Sequence, residues 1–492
     1  MLIATVTGWL QAWVMITYVL AQLLIVIYSS HRYVILWRWL RGVASRPAAA
    51  PAVTRCWPVV TVQLPLFNER LVAERLIDAV CALDYPAGRL EIQVLDDSLD
   101  ETRERAARAV DRHRAHGVDI VHLHRRHREG YKAGALAMGL GLARGDLIAV
   151  FDADFVPRAD FLRRMVPHFA DPRVGMAQAR WGHLNRRRSA LTSAQAVMLD
   201  SHFLLEHAVR MQSRLFFNFN GTAGVWRRSC IEDAGGWAHD TLTEDLDLSY
   251  RAQLRGWRFV FDGTVESPAE LPADIEALKS QQRRWAKGSI QTARKLLPRV
   301  FASPLPLRIK LEAFFHLTSN FSYPLLLVLG LLLLPILLGT SSAPPALVWG
   351  LQIGVILLGV VPVSLFLGAG QLLVGGSGPG VLRDVVAALV LGVGLSVNNT
   401  RAVLEGLGSG IGDWERTPKS GDGATRPRLQ PYASSAGHSG RTELGLALYF
   451  MGLACFAWGM REYRALPFII LLLAGFGCVG VASLRASLRA AR

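Results

Sequence analysis

A chain of 492 residues is too long for one compact domain. At 51% hydrophobic and 19% charged, with a mean hydropathy of +0.26, it also carries less charge than ordinary soluble proteins. Residues 1–31 and 313–382 contain no Asp, Glu, Lys or Arg, which excludes a purely soluble protein. The 54 basic against 39 acidic side chains, a net charge of +15, suit anionic lipid and a phosphate-bearing substrate. No zinc-finger spacing or RNA-binding signature supports nucleic acid. Five scattered cysteines without a C-x-x-C pair argue against a disulfide framework or structural zinc and fit a reducing compartment.

In chain order, residues 8–29 are long enough to cross a bilayer. They lack a basic n-region and a cleavage site, so they read as an anchor. His31, Arg32, Arg38, Arg41 and Arg46 follow, placing the C-terminal end in the cytoplasm by the positive-inside rule, and 33–40 reads as an interfacial segment, which completes an N-terminal unit over 1–46. Residues 47–310 read as a cytoplasmic domain. Strands are predicted at 58–64, 90–96, 119–124 and 147–151, with helices near 69–83, 101–115 and 131–143; this alternation implies βαβ units and a parallel sheet. Two spans at 314–339 and 346–368 fall within 311–376. In 377–443, a short apolar stretch near 385–400, flanked by Arg383, Asp384 and Arg401, is expected to lie on the inner surface and lead into a loop. If it spanned instead, the basic loop after it would lie outside, against the charge rule. Two further spans, 444–460 and 465–484, and a basic tail complete 444–492. The segments 47–57 and 412–443, rich in Pro, Gly, Ser and Arg, read as linkers or loops.

Parallel sheets bind ligands beyond the carboxyl ends of their strands. The second strand ends in Asp96-Asp97-Ser98, which reads as a ligand-binding pair or as a simple Asx turn. The fourth runs into Asp152-Ala153-Asp154, two carboxylates able to share a hard cation that bridges phosphates. The basic run 122–132 enters a helix at Lys132, a site suited to phosphate, although a solvated basic loop accounts for most of it. Glu244, Asp245 and Asp247 open another helix; acids there offset the helix dipole, and one near an acceptor hydroxyl can serve as general base. Gln281, Arg284 and Trp285, spaced i, i+3, i+4, share one helix face. It offers an amide, a guanidinium for diphosphate and an aromatic plate for a sugar, or else an interfacial belt with a snorkelling Arg. His316, Asn320, Tyr323 and Tyr449 are polar groups at membrane depth, suited to a sugar path or to ordinary helix–helix bonding.

In this order, Asp96-Asp97, Asp152-x-Asp154, Thr243-Glu244-Asp245 and Gln281-x-x-Arg284-Trp285 resemble the D, DxD, TED and QxxRW signature of processive family 2 glycosyltransferases. The flanks VQLPLFNE (62–69), GYKAGAL (130–136), FDADF (151–155) and FNGTAGVWR (219–227) resemble the cellulose synthase-like β-mannan synthases, over about 55–300 and again at 397–407 and 414–419. The resemblance implies an α/β GT-A fold, a Rossmann-like nucleotide-sugar-binding domain inserted between transmembrane helices. It implies that Asp96 and Asp97 hold the nucleotide and that Asp152 and Asp154 hold the diphosphate and Mg2+ or Mn2+. Lys132, Gln281 and Arg284 join the donor site, Arg284 steadying the departing diphosphate, and Asp245 beside Glu244 is the base. Trp285, Phe219, Asn220 and Gly221 form the acceptor floor. Trp414, Thr417 and Lys419 resemble a gating loop in which Trp and Arg replace the usual Phe and Val.

The implied activity is inverting, processive synthesis of a β-1,4-linked mannan or glucomannan from GDP-mannose. The implied partners are the nucleotide sugar, the growing polysaccharide and membrane lipid, with the protein integral to the membrane as a multi-pass chain. A β-glucan synthase using UDP-glucose, a non-processive transferase onto a lipid carrier, and a scaffold or channel with a degenerate transferase domain are the alternatives.

Overall fold

The computed structural model describes residues 2–42, 56–339, 353–408 and 440–490, together with 350, 410, 412, 417, 419 and 421. A seven-stranded mixed sheet in the order β3-β2-β1-β4-β6-β5-β7 forms the centre of the soluble part. Strands β1 (Val60–Leu66), β2 (Leu90–Asp96), β3 (Ile120–His124) and β4 (Leu147–Val150) are mutually parallel. Helices α2 (Ala73–Cys81), α3 (Thr102–Ala115) and α4 (Tyr131–Leu142) connect them. Both faces of these strands are covered, and the polar members of β1 and β2 pair with one another, Thr61 donating to Glu91 at 2.5 Å and Gln63 to Gln93 at 3.1 Å. Val60, Val62 and Leu64 pack with Leu76, Ile77 and Val80 of α2, whereas Ile148 and Val150 pack with Leu136 of α4.

The other half is antiparallel at its junction. Strand β5 (Val174–His183) and β6 (Gly224–Arg227) pair antiparallel, as do β6 and β4, while β7 (Arg258–Ala269) runs parallel to β5. The sequence reading lacked these three strands. Gly224 lies opposite Val150, so the turn before β6 falls beside the residues that follow β4. Helix α5 (Ala190–Ser201) continues through a π-helical turn, His202–His207; α6 (Glu244–Leu254) and α7 (Ile275–Ala302) follow, the latter capped by Asp274, whose side chain accepts from the Ala277 N–H.

Among the described residues five helices are long and apolar enough to cross a membrane: Gln11–Leu40, Leu307–Leu338, Ile353–Leu373, Arg441–Gly459 and Tyr463–Arg489. The pair Gly378–Gly394 and Ser396–Leu407 is bent by 49°. Residues 33–40 continue the first helix without a break, as the end of α1 (Leu2–Leu40). Arg32 meets Glu206 at 3.0 Å, while His31 and Arg38 meet Glu312 at 2.9 and 2.8 Å, docking the helix on the soluble domain.

Candidate active site

An open cleft lies beyond the carboxyl ends of β1, β2 and β4. Asp97, Lys132, Asp152, Asp154, Asn220 and Gly221 line it from the sheet side. Glu244 and Asp245 of α6, and Gln281, Arg284 and Trp285 of α7, line it as well, together with Thr417 and Lys419. The three α7 side chains share the cleft because of their i, i+3, i+4 spacing.

Each acidic group has a cation beside it. Asp97 accepts a two-pronged pair from Arg125, Nε at 2.7 Å and Nη2 at 2.6 Å. The Lys132 ammonium lies 2.5 Å from Asp152 and 3.9 Å from Glu244 and donates to the Gly221 carbonyl at 2.9 Å. Burial alone favours its neutral form, but Asp152 and Glu244 outweigh that and raise its pKa, so it stays charged. Lys419 lies 2.7 Å from Asp154. Burial lowers the Arg284 pKa, although the fields of Glu244, Asp152, Asp245 and Asp154 favour its charged form. Asp245 is the exception: burial, then the neighbouring Glu244, push its carboxyl up to about 7, against the opposing pull of Lys132.

The acidic segment before α6 is anchored to α7. The Leu242 N–H donates to Gln291 at 3.0 Å, and the Thr243 and Thr292 hydroxyls meet at 3.3 Å. Gly288 permits that approach: a Cβ there would lie 2.5 Å from Thr243 Cγ2. Gly221, at φ +79°, brings its backbone against Asp245, since a Cβ would lie 3.0 Å from Asp245 Oδ2. The Thr222 hydroxyl accepts from the Asp152 N–H at 2.9 Å, tying the turn before β6 to the acidic pair.

Two expected site residues do not line the cleft. Asp96 is fully buried and accepts from the Ser98 N–H at 2.8 Å and from His122 at 2.9 Å, so it builds the turn that presents Asp97. Phe219 is fully buried and packs edge-on against Trp226, with ring centroids 5.6 Å apart, because its side chain points into the core behind Asn220 and Gly221. Asp247 is likewise buried, between Arg251 and Lys295. Trp414 lies outside the described residues. His316 bonds the Tyr250 hydroxyl at 2.8 Å and Tyr449 donates to the Leu331 carbonyl at 3.1 Å, which is ordinary helix packing.

Several cleft residues escaped the sequence reading. Trp181 of β5 stands 6.4 Å from Trp285, ring centroid to centroid, and edge-on to Phe155, forming a second aromatic wall. Arg128 stacks 3.5 Å above the Phe67 ring beside Asp97. Glu270 pairs with Arg75 at 2.7 Å. A Trp in an alternating run such as AQARWGH was the available signal for the first.

The donor set bears on metal binding. Among the described residues no three His, Cys, Asp or Glu side chains converge as a closed cage. Asp152 and Asp154 offer two hard carboxylates, each now facing an ammonium. Two carboxylates plus phosphate oxygens and water suit Mg2+ or Mn2+, so the residues fit such an ion.

Comparison with known proteins agrees with this geometry. The family model described as glycosyltransferase like family 2 matches residues 58–288. Glucomannan 4-beta-mannosyltransferase 1 of Oryza sativa subsp. japonica is 45% identical over 251 residues, covering 50% of this chain and 48% of that one. The alignment thus spans about half the length of that relative. Glucomannan 4-beta-mannosyltransferase 9 of Arabidopsis thaliana is 33% identical over 447 residues, 86% of this chain and 81% of the relative. Among solved structures, a mannosyltransferase from Pyrobaculum calidifontis in complex with GDP-Man and Mn2+ superposes with a TM-score of 0.53 at 20% identity, covering 72% of this chain and 98% of that one, and so shares the fold. A shared signature, a shared GT-A-like sheet and this long alignment lead to one conclusion: the chain belongs to the family 2 glycosyltransferases, within the cellulose synthase-like group that contains the glucomannan 4-beta-mannosyltransferases.

Proposed function

We propose that the chain is an inverting, processive hexosyltransferase that builds a β-1,4-linked mannan or glucomannan from GDP-mannose and passes the growing polysaccharide through its own membrane helices. The observation that carries this reading is the convergence of Asp97, Asp152, Asp154, Asp245 and Arg284 with the Trp285 indole in one cleft, in a chain whose relatives are glucomannan mannosyltransferases. Asp245, held near neutrality, takes the proton of the acceptor hydroxyl as that oxygen attacks the anomeric carbon. The bond from that carbon to the donor phosphate oxygen breaks, and the nucleoside diphosphate departs with the electron pair. Arg284 and Lys132 balance its charge. Attack from the face opposite the leaving group turns an α-linked donor into a β-linkage. Asp152 and Asp154 would hold Mg2+ or Mn2+, which when bound neutralises diphosphate charge. Trp285 and Trp181 give the acceptor sugars aromatic surfaces, with Asn220 and Gly221 beneath. Five candidate spans and the basic groups closing α1 support a multi-pass membrane protein whose catalytic domain faces the cytoplasm.

The test is synthesis by purified protein in nanodiscs with Mn2+ or Mg2+, given labelled GDP-mannose or UDP-glucose separately. Polymer from GDP-mannose that β-mannanase digests supports the proposal. Glucanase-sensitive polymer from UDP-glucose replaces the donor, and short lipid-linked products replace processivity.

A further inference from the structure

The acidic pair after β4 is closed by two lysines from different parts of the chain, and they are not held alike. Lys132 has three acceptors: Asp152 at 2.5 Å, the Gly221 carbonyl at 2.9 Å and Glu244 at 3.9 Å. Its charge is therefore required by groups other than the acidic pair. Lys419 instead makes its close ion pair with Asp154, at 2.7 Å, while its charge also acts on the neighbouring Glu270 carboxylate. Its neighbourhood is docked on the same edge: the Gly421 N–H donates to Glu270 at 3.1 Å, and Glu270 is held by Arg75. Asp154 is 5% exposed, so a charge there needs a counterion. Thr417, 3% exposed and lining the cleft, has a hydroxyl without a hydrogen-bond partner among the described residues, a donor awaiting an acceptor.

We infer that Lys419 is the resident counterion of Asp154 and that a divalent cation must displace it, so that the ion and the Lys419 ammonium are alternative occupants of one carboxylate. The inference rests on the reading that Asp152 and Asp154 bind the metal. A divalent ion and an ammonium on one carboxylate would repel at close range. The displaced ammonium and the Thr417 hydroxyl then lie in the cleft as donors for the diphosphate that arrives with the ion. Binding of ion and diphosphate is thereby coupled through one side chain, and that coupling is reciprocal.

The experiment measures Mn2+ binding by electron paramagnetic resonance on the full-length protein, without any sugar donor and then with GDP. Lys419→Ala should bind Mn2+ about tenfold more tightly than wild type without GDP, equivalent to about 1.4 kcal/mol, and Lys419→Arg should stay close to wild type. GDP should tighten Mn2+ binding strongly in wild type and much less in Lys419→Ala. Unchanged or weaker Mn2+ binding by Lys419→Ala without GDP overturns the inference. Asp154→Asn separates the two failures. If it abolishes the tight site while Lys419→Ala changes nothing, only the displacement is wrong. If it leaves Mn2+ binding intact, the ion sits elsewhere, and both the metal assignment and the inference fall.

Discussion

The pKa of Asp245 makes a prediction that needs no structural change. A carboxyl ordinarily near 3.8 is pushed up to about 7 by burial and by Glu244. As a general base it acts only when ionised, so about a tenth of the enzyme is competent at pH 6, about half at pH 7 and about nine-tenths at pH 8. The rate at saturating donor should therefore rise roughly fivefold from pH 6 to pH 7 and less than about twofold from pH 7 to pH 8. The neighbours set the direction of two variants. Glu244→Gln removes the negative charge that raises the pKa, so the acid limb should move to lower pH; Lys132→Ala removes the positive charge that lowers it, so the limb should move to higher pH. The assay is initial-rate polymer formation from radiolabelled donor across pH 5.5–9, with Mn2+ held constant. An acid limb that stays put in Glu244→Gln refutes the electrostatic account, and a wild-type profile flat down to pH 5.5 refutes Asp245 as the titrating base.

Four further outcomes can be checked. Asp245→Asn should lower kcat by about 10²- to 10⁴-fold. It should also raise Tm more at pH 8 than at pH 6, because a carboxyl whose pKa rises on folding from 3.8 to about 7 costs stability progressively between those values and in full only above the upper one; a calorimetric scan at both pH values reads the sign. Trp285→Ala should shorten or abolish polymer while GDP Kd by calorimetry stays within about twofold, as its proposed role in holding the acceptor requires. Gly288→Ala places a methyl 2.5 Å from Thr243 and should cost about 1–3 kcal/mol of stability, with reduced kcat as the acidic segment moves off α7; an unchanged Tm refutes that close approach. Glu206→Ala removes the partner that Arg210, 1% exposed, holds at 3.1 Å but leaves it Glu312 at 3.8 Å and the Phe216 carbonyl, and should cost about 1–3 kcal/mol in denaturant unfolding.

Local chemistry accounts for how much could be read without coordinates. Strands β1 to β4 announce themselves as short apolar runs between helical patterns, and the acids at their ends follow from the rule that such sheets bind ligands there. The Gln281, Arg284, Trp285 face needs only helical periodicity. Long-range pairing carries no such local signal. Strand β6 is four residues, legible only once Gly224 pairs with Val150, and β5 and β7 depend on each other. The docking of α1 through Arg32 and Arg38 depends on Glu206 and Glu312, carboxylates distant in the chain that only folding brings beside them. Asp96 and Asp97 are chemically identical neighbours, yet one turns inward to a backbone N–H and His122 while the other faces the cleft. Which acid holds its proton, and which lysine guards which carboxylate, depends on burial and on charges within a few ångströms, quantities that exist only after the chain has folded.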